Sequence, residues 1–156
     1  MIKILFVCHG NICRSPMAEF IMKFLVKKAG LENNFLIESK ATSTEEIGNP
    51  LHPGTLKKLA QQGIPVFPHK AVQMKKSDAE KYDFIIGMDS FNLKNIQRIL
   101  GSSFNKNIFL LLDFTLRPGN IADPWYTGNF DATFNDIWEG CFCFLQKLTN
   151  GSLKTE

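Results

Sequence analysis

The sequence predicts an α/β fold: a single-domain, doubly wound, four-stranded parallel sheet with helices on both faces. Three observations carry that expectation. Short apolar, β-branched segments alternate along the chain with longer helical ones, a pattern that right-handed crossovers convert into a parallel sheet. Ile2, Ile4, Leu5, Phe6 and Val7 form a near-continuous apolar run, as expected of a central strand buried on both faces. With 156 residues, 44% of them hydrophobic, the chain can bury one substantial core but not two, so residues 1–156 read as one domain.

Taken in order, strand 2–7 feeds directly into Cys8-His9-Gly10-Asn11-Ile12-Cys13-Arg14-Ser15-Pro16. Pro16 suits the first position of a helix with Ser15 as its N-cap, and that helix extends to residue 29, before Gly30. A strand over 35–41 is followed by a helix over 53–62 that Gly63 stops. A short helix near 77–81 precedes a third strand at 83–88. Asp89 or Ser90 can cap a helix through Leu100, and 107–112 reads as the fourth strand. Residues 113–129 read as a loop, where the proline after Asp123 biases that residue away from helix and towards an extended conformation. A long amphipathic helix then spans about 131–150, with Gly151 beyond it.

The chemistry concentrates after the first strand. Cys8 sits at its carboxyl end, where ligands collect in open parallel sheets. For a loop to wrap an anion its backbone N–H groups must converge, and Gly10 and Asn11 tolerate the left-handed φ this requires. Those N–H groups, the helix N-terminus and the Arg14 guanidinium would favour thiolate over thiol at Cys8. Arg14 can grip two phosphate oxygens at once through its planar fork, and the Ser15 hydroxyl can donate to the sulfur. His9, Gly10, Asn11, Ile12, Cys13, Arg14 and Ser15 are therefore the candidate phosphate-binding loop. The plainer alternatives are that Cys8 is a small buried apolar residue or half of a metal site. A metal site lacks its second ligand pair: Cys141 and Cys143 stand at i, i+2 on an apparent helix, and His52 and His69 have no zinc-like spacing.

The segment from Val7 to Pro16 closely resembles the active-site signature of the low-molecular-weight protein tyrosine phosphatases, a family of chains about this long. The resemblance extends through Met17-Ala18-Glu19, Ile37-Glu38-Ser39, Thr42, Gly48-Asn49-Pro50, His69-Lys70-Ala71 and Asp123-Pro124-Trp125-Tyr126. It implies strand order 2-1-3-4, a Cys8 nucleophile, an Arg14 phosphate clamp and Asp123 as general acid, then general base. Asn11, Ser39 and His69 would brace the loop, with His9, Glu45, Trp125 and Tyr126 on the substrate rim. Trp125 departs from the tyrosine usual there, His9 from leucine, and Glu45 from an aromatic residue. The implied substrates are phosphotyrosine proteins or small aryl phosphates, with inorganic phosphate as product and an opposing tyrosine kinase as cellular counterpart. No cofactor or metal is implied. Cys13 could capture an oxidised Cys8 as a reversible disulfide.

Composition sets limits on other classes. A net charge of +3 with scattered lysines does not mark a nucleic-acid binder. No stretch of eighteen apolar residues suggests a membrane span, and the opening run lacks a secretory signal's length and cleavage pattern. Four cysteines without a disulfide-like framework point to a reducing, cytoplasmic setting. Two rival functions share the anion loop. Arsenate reduction needs two further relay cysteines, and residues 70–100 contain none. A phosphoprotein-binding module or phosphocysteine carrier would have no use for the acid at Asp123.

Overall fold

The computed structural model describes residues 1–104 and 107–155. Four parallel strands, β1 (Ile2–Cys8), β2 (Phe35–Ala41), β3 (Phe84–Gly87) and β4 (Ile108–Leu110), lie in the order β2-β1-β3-β4. β1 is central, pairing Ile2 to Cys8 with Phe35 to Ala41 on one side and Ile4 to Val7 with Phe84 to Gly87 on the other. The helices are α1 (Arg14–Lys28), α2 (Pro53–Gln61), α3 (Asp78–Lys81), α4 (Ser90–Leu100), α5 (Pro124–Thr127) and α6 (Phe130–Thr149). Among the described residues no helix is long and apolar enough to cross a membrane.

The two-residue period of a strand explains why both sides of β1 are apolar. Ile4, Phe6 and Cys8 face a core shared with Met17, Phe20 and Ile21 of α1 and Phe144 of α6. Leu5 and Val7 face the other way, onto Ile96 and Leu100 of α4. Both layers close over the sheet, and Cys8 belongs to the first. Phe144 stacks on Phe114, ring centroids 4.3 Å apart, and meets Phe84 edge-on at 5.4 Å.

Three expectations need correction. The first helix begins at Arg14, with Cys13 at the N-cap and no side-chain cap, so Ser15 lies inside the first turn and is not its cap. Its hydroxyl is drawn instead to the Cys8 sulfur. The fourth strand is only Ile108–Leu110, shorter than 107–112, because Asn107 takes a left-handed φ of 64° and Asp113 accepts the Leu110 N–H, winding Leu111–Phe114 into a 3-10 turn. The stretch 113–129 is not wholly irregular either: Asp123 stays extended as expected, but accepts the Trp125 N–H and starts the short helix α5. Elsewhere boundaries move by one or two residues, and Asp89 takes the capping role through a reciprocal box with Asn92.

Where α6 crosses the 3-10 turn the approach is close enough to need glycine: a Cβ on Gly140 would lie 2.5 Å from Cγ of the fully buried Leu111. Gly140→Ala gains about 1 kcal/mol of helix propensity against about 1–3 kcal/mol of overpacking. The expected net result is a lower urea midpoint at unchanged slope; a raised midpoint would show that Leu111 yields freely.

Candidate active site

The loop between β1 and α1 curls round the sulfur of Cys8, a residue 3% exposed. The backbone N–H groups of Asn11 and Ser15 donate to Sγ at 3.3 and 3.4 Å. Such convergence needs a left-handed residue, and Asn11 supplies it with φ 60°. A side chain other than glycine's is present there because the amide braces the loop it bends.

Asn11 Oδ1 accepts the Val72 N–H at 3.1 Å, which fixes the amide orientation and turns Nδ2 towards two serines. Nδ2 donates to Ser15 Oγ at 2.8 Å and to Ser39 Oγ at 3.0 Å. Ser39 Oγ donates to Glu19 Oε1 at 2.6 Å, and Lys23 Nζ closes that branch by donating to Glu19 Oε2 at 2.6 Å. On the other branch Ser15 Oγ stands 3.1 Å from Cys8 Sγ. A thiol can donate to Ser15 across that contact; an ionised sulfur can only accept, and Asn11 leaves the Ser15 proton free for the purpose. His69 Nε2 lies 2.7 Å from the Asn11 carbonyl oxygen, and since that oxygen can only accept, Nε2 carries the proton. The three residues named for loop support thus meet in one network.

Arg14 is 2% exposed. Nη1 donates to Asp89 Oδ2 at 2.6 Å and to the Ile121 carbonyl at 2.9 Å, while Nη2 reaches Asp123 Oδ2 at 3.3 Å. Nε has no hydrogen-bond partner among the described residues. Burial works against the guanidinium charge, but the charge at Cys8, the hydrogen bond that Arg14 donates to Asp89 and the charges of Asp123 and Asp89 outweigh it, so Arg14 holds its proton more tightly than an ordinary arginine. Asp89 stands at the end of β3, beside the carboxyl end of β1, and carries both this contact and the cap of α4.

Cys13, also in the loop, is a different kind of thiol. Burial first, then the charges at Cys8 and Asp123, push it up to about 12, against a smaller lowering by Thr55. All four cysteines are free.

The cleft above the sulfur has an empty volume of about 490 Å³. It is lined by the loop residues Cys8, His9, Gly10, Ile12, Cys13 and Arg14, by Glu45 and Glu46, and by Asp123, Trp125 and Tyr126. His9 Nε2 meets Glu45 Oε2 at 3.0 Å, joining two of the expected rim residues. Gly10 lies beneath Glu46, whose Cγ would be 3.2 Å from an added Cβ. Of the residues expected in the loop and on the rim, all but Asn11 and Ser15 line this cleft, and those two hydrogen-bond to each other in the network behind it. The sequence reading missed Asp89 as an Arg14 partner and Glu19 as the end of the Ser39 branch. Asp89 was legible only as a helix cap, although its place at the carboxyl edge of the sheet is where site residues collect.

Residues 3–153 match the family model described as low molecular weight phosphotyrosine protein phosphatase. The low molecular weight protein-tyrosine-phosphatase YfkJ of Bacillus subtilis is 40% identical over 143 residues, covering 90% of this chain and 92% of that protein. A low molecular weight phosphotyrosine protein phosphatase of Saccharomyces cerevisiae is 38% identical over 153 residues, covering 94% of each. The crystal structure of YfkJ superposes with a TM-score of 0.94 at 37% identity over 98% of each chain. That of DARP, a Drosophila arginine phosphatase, superposes with a TM-score of 0.85 at 31% identity, covering 94% of this chain and 98% of that one.

Two outcomes follow from the loop. Asn11→Ala leaves a left-handed alanine and orphans the Val72 N–H, together about 2–4 kcal/mol of stability, read as a lower urea midpoint. An unchanged midpoint would contradict the bracing role. In a Cys8→Ser background Cys13 should resist iodoacetamide at about pH 8 while folded and react once denatured. An unfolded cysteine ionises near 9.0 whereas folded Cys13 keeps its proton to about 12, so its contribution to stability is present below pH 9 and lost as pH rises through that window. Equal labelling of native and denatured protein would refute the protected state.

Proposed function

The chain belongs to the low molecular weight phosphotyrosine protein phosphatase family, and from that premise we propose that it hydrolyses phosphotyrosine and related aryl phosphate monoesters through a phosphocysteine intermediate. The supporting observation is that Cys8 Sγ, ringed by two N–H donors, shares one cleft with Arg14, whose buried Nε is unpartnered, and with Asp123, 3.3 Å from the Arg14 fork.

In this reading the loop N–H groups and Arg14 bind the phosphate oxygens, and Arg14 Nε supplies a donor that none of the described residues uses. The Cys8 thiolate attacks phosphorus; an S–P bond forms as the aryl P–O bond breaks, and Asp123 gives its proton to the departing phenolate. Asp123, now ionised, takes a proton from water. That water attacks phosphorus, the S–P bond breaks, the thiolate returns stabilised by Ser15, and inorganic phosphate leaves. The charge of this loose transition state is spread over oxygens facing preorganised donors, which supply most of the acceleration. No cofactor or metal takes part in any step.

Fold alone does not choose the substrate, since an arginine phosphatase shares it. The aryl preference rests on Trp125 and Tyr126, whose rings flank the cleft beside Asp123 and can stack on a phenyl leaving group. Proteins bearing phosphotyrosine, opposed by a tyrosine kinase, are the matching partners, and four free cysteines fit a cytoplasmic setting. If peroxide converts Cys8 to sulfenic acid, attack by the Cys13 thiol forms a disulfide and releases water, protecting Cys8 from further oxidation.

Steady phosphate release from para-nitrophenyl phosphate in the presence of chelator is expected, and Cys8→Ser should abolish it. Asp123→Ala should slow turnover by about 100- to 10,000-fold for poor leaving groups and much less for good ones. Equal slowing for all aryl phosphates would remove Asp123 from the acid role. Faster hydrolysis of a phosphoarginine peptide than of its phosphotyrosine counterpart would overturn the substrate assignment.

A further inference from the structure

Trp125 is 57% exposed, and its neighbour Tyr126 is 82% exposed. A wall so open would sweep many rotamers unless something held it from behind, and each rotamer lost on stacking a substrate weakens binding. Among the described residues the only aromatic ring packed on Trp125 is that of His52, edge-on at 5.7 Å between centroids and 81° between planes.

His52 is itself fixed on three sides. It caps α2, with Nδ1 accepting the Gly54 N–H at 2.9 Å, so the ring proton sits on Nε2. Its face stacks on Phe130 at 5.2 Å and 28°. The far end of the Phe130 ring in turn covers Gly54, where an added Cβ would come within 2.3 Å of Cζ. The His52 backbone N–H donates to the Ile12 carbonyl at 2.9 Å, tying the cap to the phosphate loop. His52, at the start of α2, is therefore tied to the loop through its backbone and to Trp125 through its ring.

We propose that His52 is a positioning residue that sets affinity for the aromatic part of the substrate, by holding Trp125 where a phenyl ring stacks. This rests on the aryl phosphatase reading above and deepens it. His52 touches neither phosphate nor leaving group. Its ring narrows Trp125 to one orientation before substrate arrives, and the Trp125 N–H on Asp123 Oδ1, at 3.0 Å, keeps the wall in register with the acid. A tyrosine-like wall without such a backing ring would stack more loosely.

Two substitutions separate the wall from the cap. His52→Asn retains an acceptor for the Gly54 N–H and removes the ring; His52→Phe retains a ring and removes the acceptor. His52→Asn should raise KM for para-nitrophenyl phosphate about three- to tenfold, the range expected for losing one edge-to-face contact. It should leave kcat and the competitive inhibition constant of inorganic phosphate within about twofold. His52→Phe should keep KM near that of the parent. In a Trp138→Phe background, which leaves Trp125 as the sole indole, His52→Asn should also increase acrylamide quenching of its fluorescence. KM and quenching unmoved by His52→Asn would overturn the proposal. So would a parallel rise in KM and the phosphate inhibition constant, which would place the effect in the loop through Ile12, or a His52→Phe variant that behaves like His52→Asn. The quenching measurement needs no turnover, so a parent without phosphatase activity would defeat the aryl phosphatase reading while leaving the His52–Trp125 contact separately tested.

Discussion

The left-handed turn at Asn11 is the constraint on which the rest of the site depends. With φ at 60° it points its own N–H at the Cys8 sulfur, and its side chain then locks the bend from outside. Glycine would bend as readily but could not hold Val72, Ser15 and Ser39 together. The order of donors matters as much as their number. Because Val72 claims Oδ1, both amide protons go to serines, and the Ser15 proton is left for sulfur. A strained backbone is kept in place by a network that also sets the direction of a proton.

Arg14 plays the corresponding part across the sheet. A guanidinium buried this deeply is costly unless its N–H groups are satisfied, and Asp89, the Ile121 carbonyl and Asp123 satisfy three positions while Nε remains unpartnered. Those partners come from the turn after β3 and from the segment holding Ile121 and Asp123, so one side chain links three segments that the topology brings to the carboxyl edge of the sheet. The aromatic wall joins the same assembly through Asp123 and through His52, which stands on the phosphate loop at Ile12.

Much of this was legible in the sequence, for identifiable reasons. The apolar run of β1 has no polar alternation because both its faces are covered, and periodicity reports that directly. Cys8, Arg14 and the loop between them are contiguous, so their chemistry reads locally. What stayed hidden was set by other segments. Ser15 has the chemistry of an N-cap, yet the sulfur and Asn11 claim its hydroxyl and the helix starts at Arg14, two residues before the expected Pro16. Asp89 looks like an ordinary cap because its second role exists only once β3 lies beside β1. His52 has no metal-ligand spacing in the sequence, and its contact with Trp125 exists only once that distant residue folds onto it. The shortened β4 reflects Asp113 competing for the Leu110 N–H, a contact that outweighs apolar run length.

The central claim is that the cradled sulfur of Cys8 accepts the phosphoryl group. Acid-quenching the Asp123→Ala variant during turnover of an activated aryl phosphate, followed by mass spectrometry of the peptide containing residues 8–14, tests it most directly. The account predicts a phosphoryl group on Cys8, absent from Cys8→Ser. Turnover with an unmodified Cys8 peptide, or a phosphoryl group found on another residue, would contradict it.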